Sequence, residues 1–398
     1  MENVDYLRSI HNYNEDIAIG KHSETGVAGH SSFNQLPSFH VINNPSVDAM
    51  HDLFSNGVCK YGLLSALHYF IYEKRFFCRA TLNTRINVIS KTSADVSLRR
   101  MPDFEEVSSK KYKGKTITVR MTASEMKAFC RNFTFIVGPY VPCDDPVWTF
   151  CKVLIRTVDT ISHTSFTKKD LNELKNLIES HHYLYQMLFN DTLKPKQHFV
   201  VHYPSIIAKS GPIDRMMCFR NKAKHQSFKG YAHVISSRVN IAYTLCMKSC
   251  LQFSHDLYRE LFFDLEVEGQ FMTSTLKSRP YYSKIDATCP FKFDDIILFT
   301  CSIWFKGSVF KMGQFVTVSE QHILKLMEIE EFAKQGEFVF VICRNWKLGE
   351  YEDNFLAYKA VERLETISVI DISSINGSPF AIHAISGAYY FVSNIHCY

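Results

Sequence analysis

The sequence predicts an α+β protein, mainly helical over residues 45–270 and ending in a small β-rich barrel or sandwich domain over residues 288–398. Two observations carry this expectation. In three blocks between Val58 and about residue 263 the apolar residues recur every three or four positions, as one face of a helix requires. Beyond residue 288 they gather in short runs separated by Gly, the pattern of closely spaced strands. At 398 residues the chain also exceeds the usual size of one hydrophobic core, so more than one domain is expected.

Residues 1–44, rich in Asn, Ser, His and Gly, read as an N-terminal arm or incomplete core edge that packs loosely. Leu64, Leu67 and Ile71 then fall at helical spacing, ahead of the basic, aromatic Lys74-Arg-Phe-Phe77. Residues 90–120 carry Arg99-Arg100 and Lys110-Lys-Tyr-Lys-Gly-Lys115 without an apolar period, which predicts an exposed, partly mobile connection. A second helical block spans about Ala123 to Asn190. Within it Thr167 is placed to cap a helix bearing Leu171, Leu174, Leu177 and Ile178, with Asp170 in the favourable first turn. A third block, from about Asp214 to Phe263, includes Val234, Ile241, Leu245, Leu257 and Leu261. Residues 271–287 read as a linker. The strand-like runs are Ile296–Phe305, read as one buried strand, then Phe338–Cys343, Ile367–Ile372 and Ala388–Val392, punctuated by Gly307, Gly313, Gly349, Gly377 and Gly387.

Composition narrows the functional classes. Apolar residues make up 46% and charged residues 21%, which suits a packed protein rather than a disordered one. A net charge of +5 is too small to imply nucleic acid by itself, because clustered cations matter and averages do not. The start, rich in acids and amides, lacks the basic end and apolar core of a secretory signal. The longest apolar run is about half of what a bilayer-spanning helix needs. A soluble, intracellular protein is therefore expected, with no membrane partner. Its 12 scattered cysteines read as free, buried thiols of a reducing compartment, and the sequons at Asn132, Asn190 and Asn376 then carry no meaning.

Several chemistries are missing from the sequence. It has no Gly-rich phosphate loop, no zinc-binding His pair flanking a Glu, and no Gly-x-Ser-x-Gly elbow. Cys246 with Cys250, and the adjacent His181 and His182, lack second pairs at metal-binding spacing, so buried thiols and a polar helix face are favoured and no metal site is assigned.

Two segments remain. In Val47-Asp-Ala-Met-His-Asp-Leu-Phe-Ser-Asn-Gly-Val-Cys59, Asp48 ends a short apolar approach and His51 follows three residues later. An acid beside an imidazole suits a divalent metal, while an Asp here is more often a helix cap. The other is His198-Phe-Val-Val-His-Tyr-Pro204, with Gly211-Pro-Ile-Asp-Arg-Met-Met-Cys-Phe-Arg-Asn-Lys-Ala-Lys-His-Gln-Ser-Phe-Lys229 after it. On a helix Lys222, His225 and Lys229 share a face, and Arg215, Arg220 and Lys224 add charge against Asp214 alone. Such a stripe suits either phosphates or plain solvation.

Together these segments resemble transposases of the CACTA (En/Spm) class, especially animal members. Those read Asp-x-Met-His-Asp before an apolar pair and Glu-Gly, and later His-Tyr-Pro, Gly-Pro and Arg-Phe-Glu-Ala-Lys-His. The similarity runs from about Phe39 to the C-terminus, including Gly307 and Tyr389-Tyr390, and so covers the C-terminal portion of the family's chain. It implies the remnant of an RNase H-like core with a helical insertion, in which three carboxylates hold two divalent metals in an intact member. By resemblance Asp48 matches the second acid and His51 completes its signature. The third acid is replaced by Lys222 within Arg220-Asn-Lys-Ala-Lys-His225, and Ser55-Asn56-Gly57 stands where the family has Glu-Gly. The first acid would lie upstream of Asp48, where Asp5 and Asp16 sit in no suitable strand pattern.

An ammonium donates no lone pair and repels cations, so metal occupancy should collapse, and no cofactor is expected; magnesium belongs only to an intact member. The expectation is a catalytically inactive, transposase-derived, nuclear protein with Asp48 and His51 vestigial. It would bind DNA through Arg215, Arg220, Lys222, Lys224 and Lys229, or else a nuclear protein. The competing readings are a metal-dependent nuclease subunit completed in trans and a non-functional relic.

Overall fold

A computed structural model describes residues 2, 7–92, 101–236, 238–258, 270–286, 289–292, 294–305, 308–320 and 323–392. It is an α+β protein whose chain falls into two compact units that alternate along the sequence. The first comprises residues 1–79, 102–130 and 141–225, and the second residues 80–101, 131–140 and 226–398. The sequence suggested consecutive units with boundaries near 44, 270 and 288. The alternation runs through the middle of two helices, one of them the basic one.

The first unit begins with α1 (Ile10–Ile19), capped by the Ser9 side chain, and a one-turn helix α2 (His22–Thr25). The expected loose arm has a small core of its own: Tyr13 and Val27 are buried, and the Tyr13 hydroxyl donates to the Gly29 carbonyl and accepts from the Ser31 N–H. Helix α3 (Val58–His68) lies between two π-helical turns, Met50–Phe54 and Tyr69–Glu73. Its Gly62 lies against α6 (Pro146–Ile161), where an added Cβ would meet Leu154 at 2.8 Å, so the helices approach as closely as a missing side chain permits. Helix α6 starts at a strong signal: Asp145 accepts from the Val147 and Trp148 N–H groups, and Pro146 occupies the first turn. Helix α7 (Lys168–Phe189) carries the expected Thr167 cap as a full capping box with Asp170. Its His181 and Tyr185 pack on Phe150, with ring centroids 5.2 and 6.2 Å away. Two short helices, α8 (Pro195–Val201) and α9 (Tyr203–Ser210), follow.

Within residues 90–120 the structure departs from the expected exposed connection. Strands β1 (Glu105–Ser109) and β2 (Gly114–Thr118) form an antiparallel hairpin, with Phe104, Ile117 and Val119 buried. Its basic tip is tied down, because Tyr112 stacks on His68 with centroids 3.5 Å apart and Lys111 bonds Asp191 at 2.7 Å. Arg99 and Arg100 lie outside the described residues. Charged tips disguise a strand pair whose inward residues are few.

The second unit contains α4 (Arg79–Thr92), the end of α5 (Ala123–Val137), most of α10 (Phe219–Val234) and α11 (Ile241–Tyr258), together with the C-terminal sheet. Leu261, expected on the last helix, lies outside the described residues. The strands are β3 (Met272–Thr275), β4 (Ile296–Thr300), β5 (Ser302–Phe305), β6 (Ser308–Lys311), β7 (Phe315–Glu320), β8 (Ile323–Gln335), β9 (Phe338–Glu352), β10 (Ala357–Asp371), β11 (Ile375–Phe380), β12 (His383–Ile385) and β13 (Ala388–Phe391). Nine of them form one antiparallel sheet in the order β11-β7-β8-β9-β10-β13-β12, with β3 and β4 joined to the far half of β8. Among the described residues no pair closes it, so an open sheet stands where a barrel or sandwich was expected.

The run Ile296–Phe305 is two strands rather than one: β4 joins the large sheet, while β5 pairs with β6 in a separate hairpin. Both faces of the sheet are covered. Val339, Val341 and Cys343 of β9 join Ile303, Phe305 and Phe310 from the hairpin on one side. Ile342 joins Phe299, Leu276, Tyr281 and Phe291 on the other, which is why β9 reads as a continuous apolar run. Residues 271–287, expected as a linker, thus carry β3 and supply part of this core.

Among the described residues no helix is long and apolar enough to cross a membrane. The eleven described cysteines are free, but only Cys59, Cys130, Cys151 and Cys343 are buried; Cys78, Cys143, Cys246, Cys250 and Cys301 are exposed. The expectation of buried thiols therefore holds for a minority.

Candidate functional site

Asp48 stands at the head of the π-helical turn Met50–Phe54, not at the edge of a sheet where a remnant of an RNase H-like core would place it; the described strands of the first unit are β1 and β2 alone. Its carbonyl accepts from the His51 and Asp52 N–H groups at 3.0 Å, and its Oδ1 accepts from the Met50 N–H at 3.1 Å. The capping reading of this residue is therefore fulfilled. At the other end Lys196 of α8 donates Nζ to the carbonyls of His51 and Ser55, both at 2.8 Å, serving carbonyls that the turn leaves without partners. Gly57 closes the turn so tightly that an added Cβ would lie 2.0 Å from the Asp52 carbonyl oxygen.

The two segments singled out in the sequence meet here. Asp48 Oδ1 also accepts from the Cys218 N–H at 3.2 Å, and Oδ2 is paired with His51 Nδ1. Asp52, buried beneath, accepts from the Tyr203 hydroxyl at 2.9 Å. Phe54 and Phe219 bring their rings to 6.4 Å. Burial acts to raise the Asp48 carboxyl, but hydrogen bonds from His51 and Cys218 outweigh it and hold the group below its ordinary value. Burial raises Asp52 despite the Tyr203 hydrogen bond and the Lys196 charge.

This arrangement makes a poor nucleophile. In an activated cysteine the base lies between thiol and acid, whereas here the carboxylate lies between thiol and imidazole. The bond to Asp48 keeps the Cys218 thiol protonated and is the largest cause of its raised pKa. Lys222 follows Cys218 by one turn, and its charge is felt at that thiol. A cation therefore stands one turn beyond the carboxylate's partner.

Of the basic stripe, Lys222, Lys224 and Lys229 are exposed on α10, and Asp214 is paired with Lys127 at 3.9 Å. The side chains of Arg215 and Arg220 lie outside the described ones. His181 and His182 point inward; burial first, then the neighbouring imidazole, lowers His181 to about 3, and burial brings His182 to about 4. Cys246 and Cys250 are exposed one turn apart on α11. Among the described residues no group of three or more His, Cys, Asp or Glu side chains is placed to hold a metal ion. Lys196 and Cys218 were not anticipated as parts of this site. Cys218 lies inside a segment the sequence flagged, while nothing near Lys196 marks it. No family model, curated protein or solved structure matches this chain.

Proposed function

We propose that the chain is a catalytically inactive, transposase-derived protein that binds DNA in the nucleus through the basic face of α10. The observation that carries this reading is the contact between Asp48 and Cys218, which joins the two segments of the resemblance and sets Lys222, the substituted acid position, one turn away. A two-metal centre needs carboxylate oxygens free to face the ions. Asp48 has its oxygens engaged by Met50, Cys218 and His51, and the nearby side chain at position 222 is a cation. What would remain of the ancestral function is phosphate contact.

The test is gel retardation of a random duplex over a salt series. Binding should weaken steeply as salt rises, and Lys222→Gln with Lys229→Gln should weaken it on every sequence while flattening the salt slope by about two charges. No magnesium- or manganese-dependent cleavage should accompany binding, and Lys222→Glu alone should not create it. An unchanged slope in a folded double variant would reduce the stripe to a solvated face; cleavage abolished by Asp48→Ala would overturn the inactive reading.

A protein partner is the second reading, favoured by α11. No described residue of that helix is buried, and Tyr243, Leu251, Phe253 and Tyr258 are exposed.

A further inference from the structure

His198, in the last turn of α8, and His202, which ends it, stand one turn apart with their Nε2 atoms separated by 3.3 Å. We propose that this pair is a binding site for a divalent cation of zinc-like, tetrahedral preference, with water completing its coordination. The proposal is independent of DNA binding and of the Asp48 cluster.

The spacing carries the first part of the argument. Two nitrogens each about 2.05 Å from a zinc ion and 3.3 Å from each other subtend about 107° at the metal, close to the tetrahedral angle. A square-planar ion would ask for about 2.9 Å between adjacent nitrogens, so the gap discriminates by geometry.

The surroundings of His202 carry the second. Its Nδ1 lies 2.8 Å from Glu2 Oε1, and the same oxygen accepts from the Ser205 hydroxyl at 3.0 Å. An imidazole that donates Nδ1–H to a carboxylate keeps its Nε2 lone pair outward, and the carboxylate fixes the orientation of the ring, as metal-bound histidines commonly require. His198 is exposed, so it turns to the matching tautomer with Nδ1–H in water at little cost. Without metal the pair is left with one exposed N–H···N hydrogen bond, a weak competitor.

Access carries the third: the His198 side chain is exposed. Because no third protein ligand converges among the described residues, two or more waters fill the shell and exchange remains open.

The full chain, stripped with chelator, is titrated with cobalt(II) as a spectroscopic stand-in for zinc. One equivalent should produce the visible bands of a tetrahedral ion without a thiolate charge-transfer band, and zinc should displace it. His198→Gln and His202→Gln should each weaken binding at least about 30-fold, and Glu2→Gln about 10-fold, through the ordering of His202. His198→Gln alters an exposed side chain, and circular dichroism checks its fold. Cobalt affinity untouched by either histidine variant would overturn the site, as would a signal that vanishes in Cys246→Ser with Cys250→Ser, or no binding at all. An unaltered affinity in Glu2→Gln would overturn the role of the carboxylate.

Discussion

Replacing Tyr203 by Phe removes one oxygen from a side chain that is fully buried, so packing is preserved and the loss isolates a single hydrogen bond. That bond, 2.9 Å long, reaches a buried carboxylate whose burial raises its pKa above the ordinary value. A hydrogen bond to a charged group contributes about 1.5–3 kcal/mol and one between neutral groups about 1. The variant should therefore lose about 2 kcal/mol at pH 7. The sign of its pH dependence follows from linkage. Folded Asp52 holds its proton to higher pH than the unfolded chain does, so ionising it opposes folding as pH rises above the ordinary carboxylate value. Losing the hydroxyl raises Asp52 further, so the cost should grow from about 1 kcal/mol near pH 3.5 to its full value at pH 7. Urea unfolding across this range measures it, and Asp52→Asn alone and combined with Tyr203→Phe isolates the coupling. A loss below about 0.5 kcal/mol at pH 7, or one that ignores pH, would refute the reasoning.

Asp48 should show the opposite slope. Its carboxyl is held below the ordinary value by His51 and Cys218 against burial, so its contribution is complete above the ordinary carboxylate range and fades as pH falls through the lowered value. Asp48→Asn should therefore flatten the acid limb of the stability curve, as urea midpoints between pH 2 and 5 would record. Gly57→Ala would drive a Cβ into the Asp52 carbonyl oxygen, 2.0 Å away, and only a shift of the whole π-helical turn relieves it. About 3 kcal/mol should be lost in equilibrium unfolding, and a neutral result would mean the turn gives way freely. Thr167→Ala removes a cap that accepts from the Asp170 N–H at 3.3 Å, and about 1 kcal/mol should follow in the same assay.

What was legible in the sequence is what local chemistry decides. Thr167 with Asp170 announces α7, and Asp145 with Pro146 would have announced α6 as plainly. The strand run Phe338–Cys343 is visible because both of its faces are covered, although β9 continues well past it through Arg344, Trp346 and Lys347, whose polar or amphipathic character hides the continuation. Cys301 divides Ile296–Phe305 between two sheets, a choice made by partners distant in sequence. The hairpin at β1 and β2 was obscured by lysines at its tip, since its anchorage comes from Tyr112 against His68 rather than from alternation. At the candidate site, Asp48 and His51 were readable as a pair. Their meeting with Cys218 was not anticipated, although that residue lies in the second segment, and the Lys196 clamp left no local mark because a lysine reaching two carbonyls looks like any surface lysine.

The alternation of the two units along the chain bears on how the protein can be dissected. A deletion series normally seeks one cut that frees an independent part, but no single cut here leaves one unit whole and free of pieces of the other. Ending the chain after His225 keeps every segment of the first unit while also retaining two pieces of the second, residues 80–101 and 131–140, stripped of the sheet-bearing remainder. Starting at Gln226 begins partway along α10 and omits those same two pieces. Fragments made at either place would carry a broken second unit, so its core is disturbed whichever side of the cut is kept.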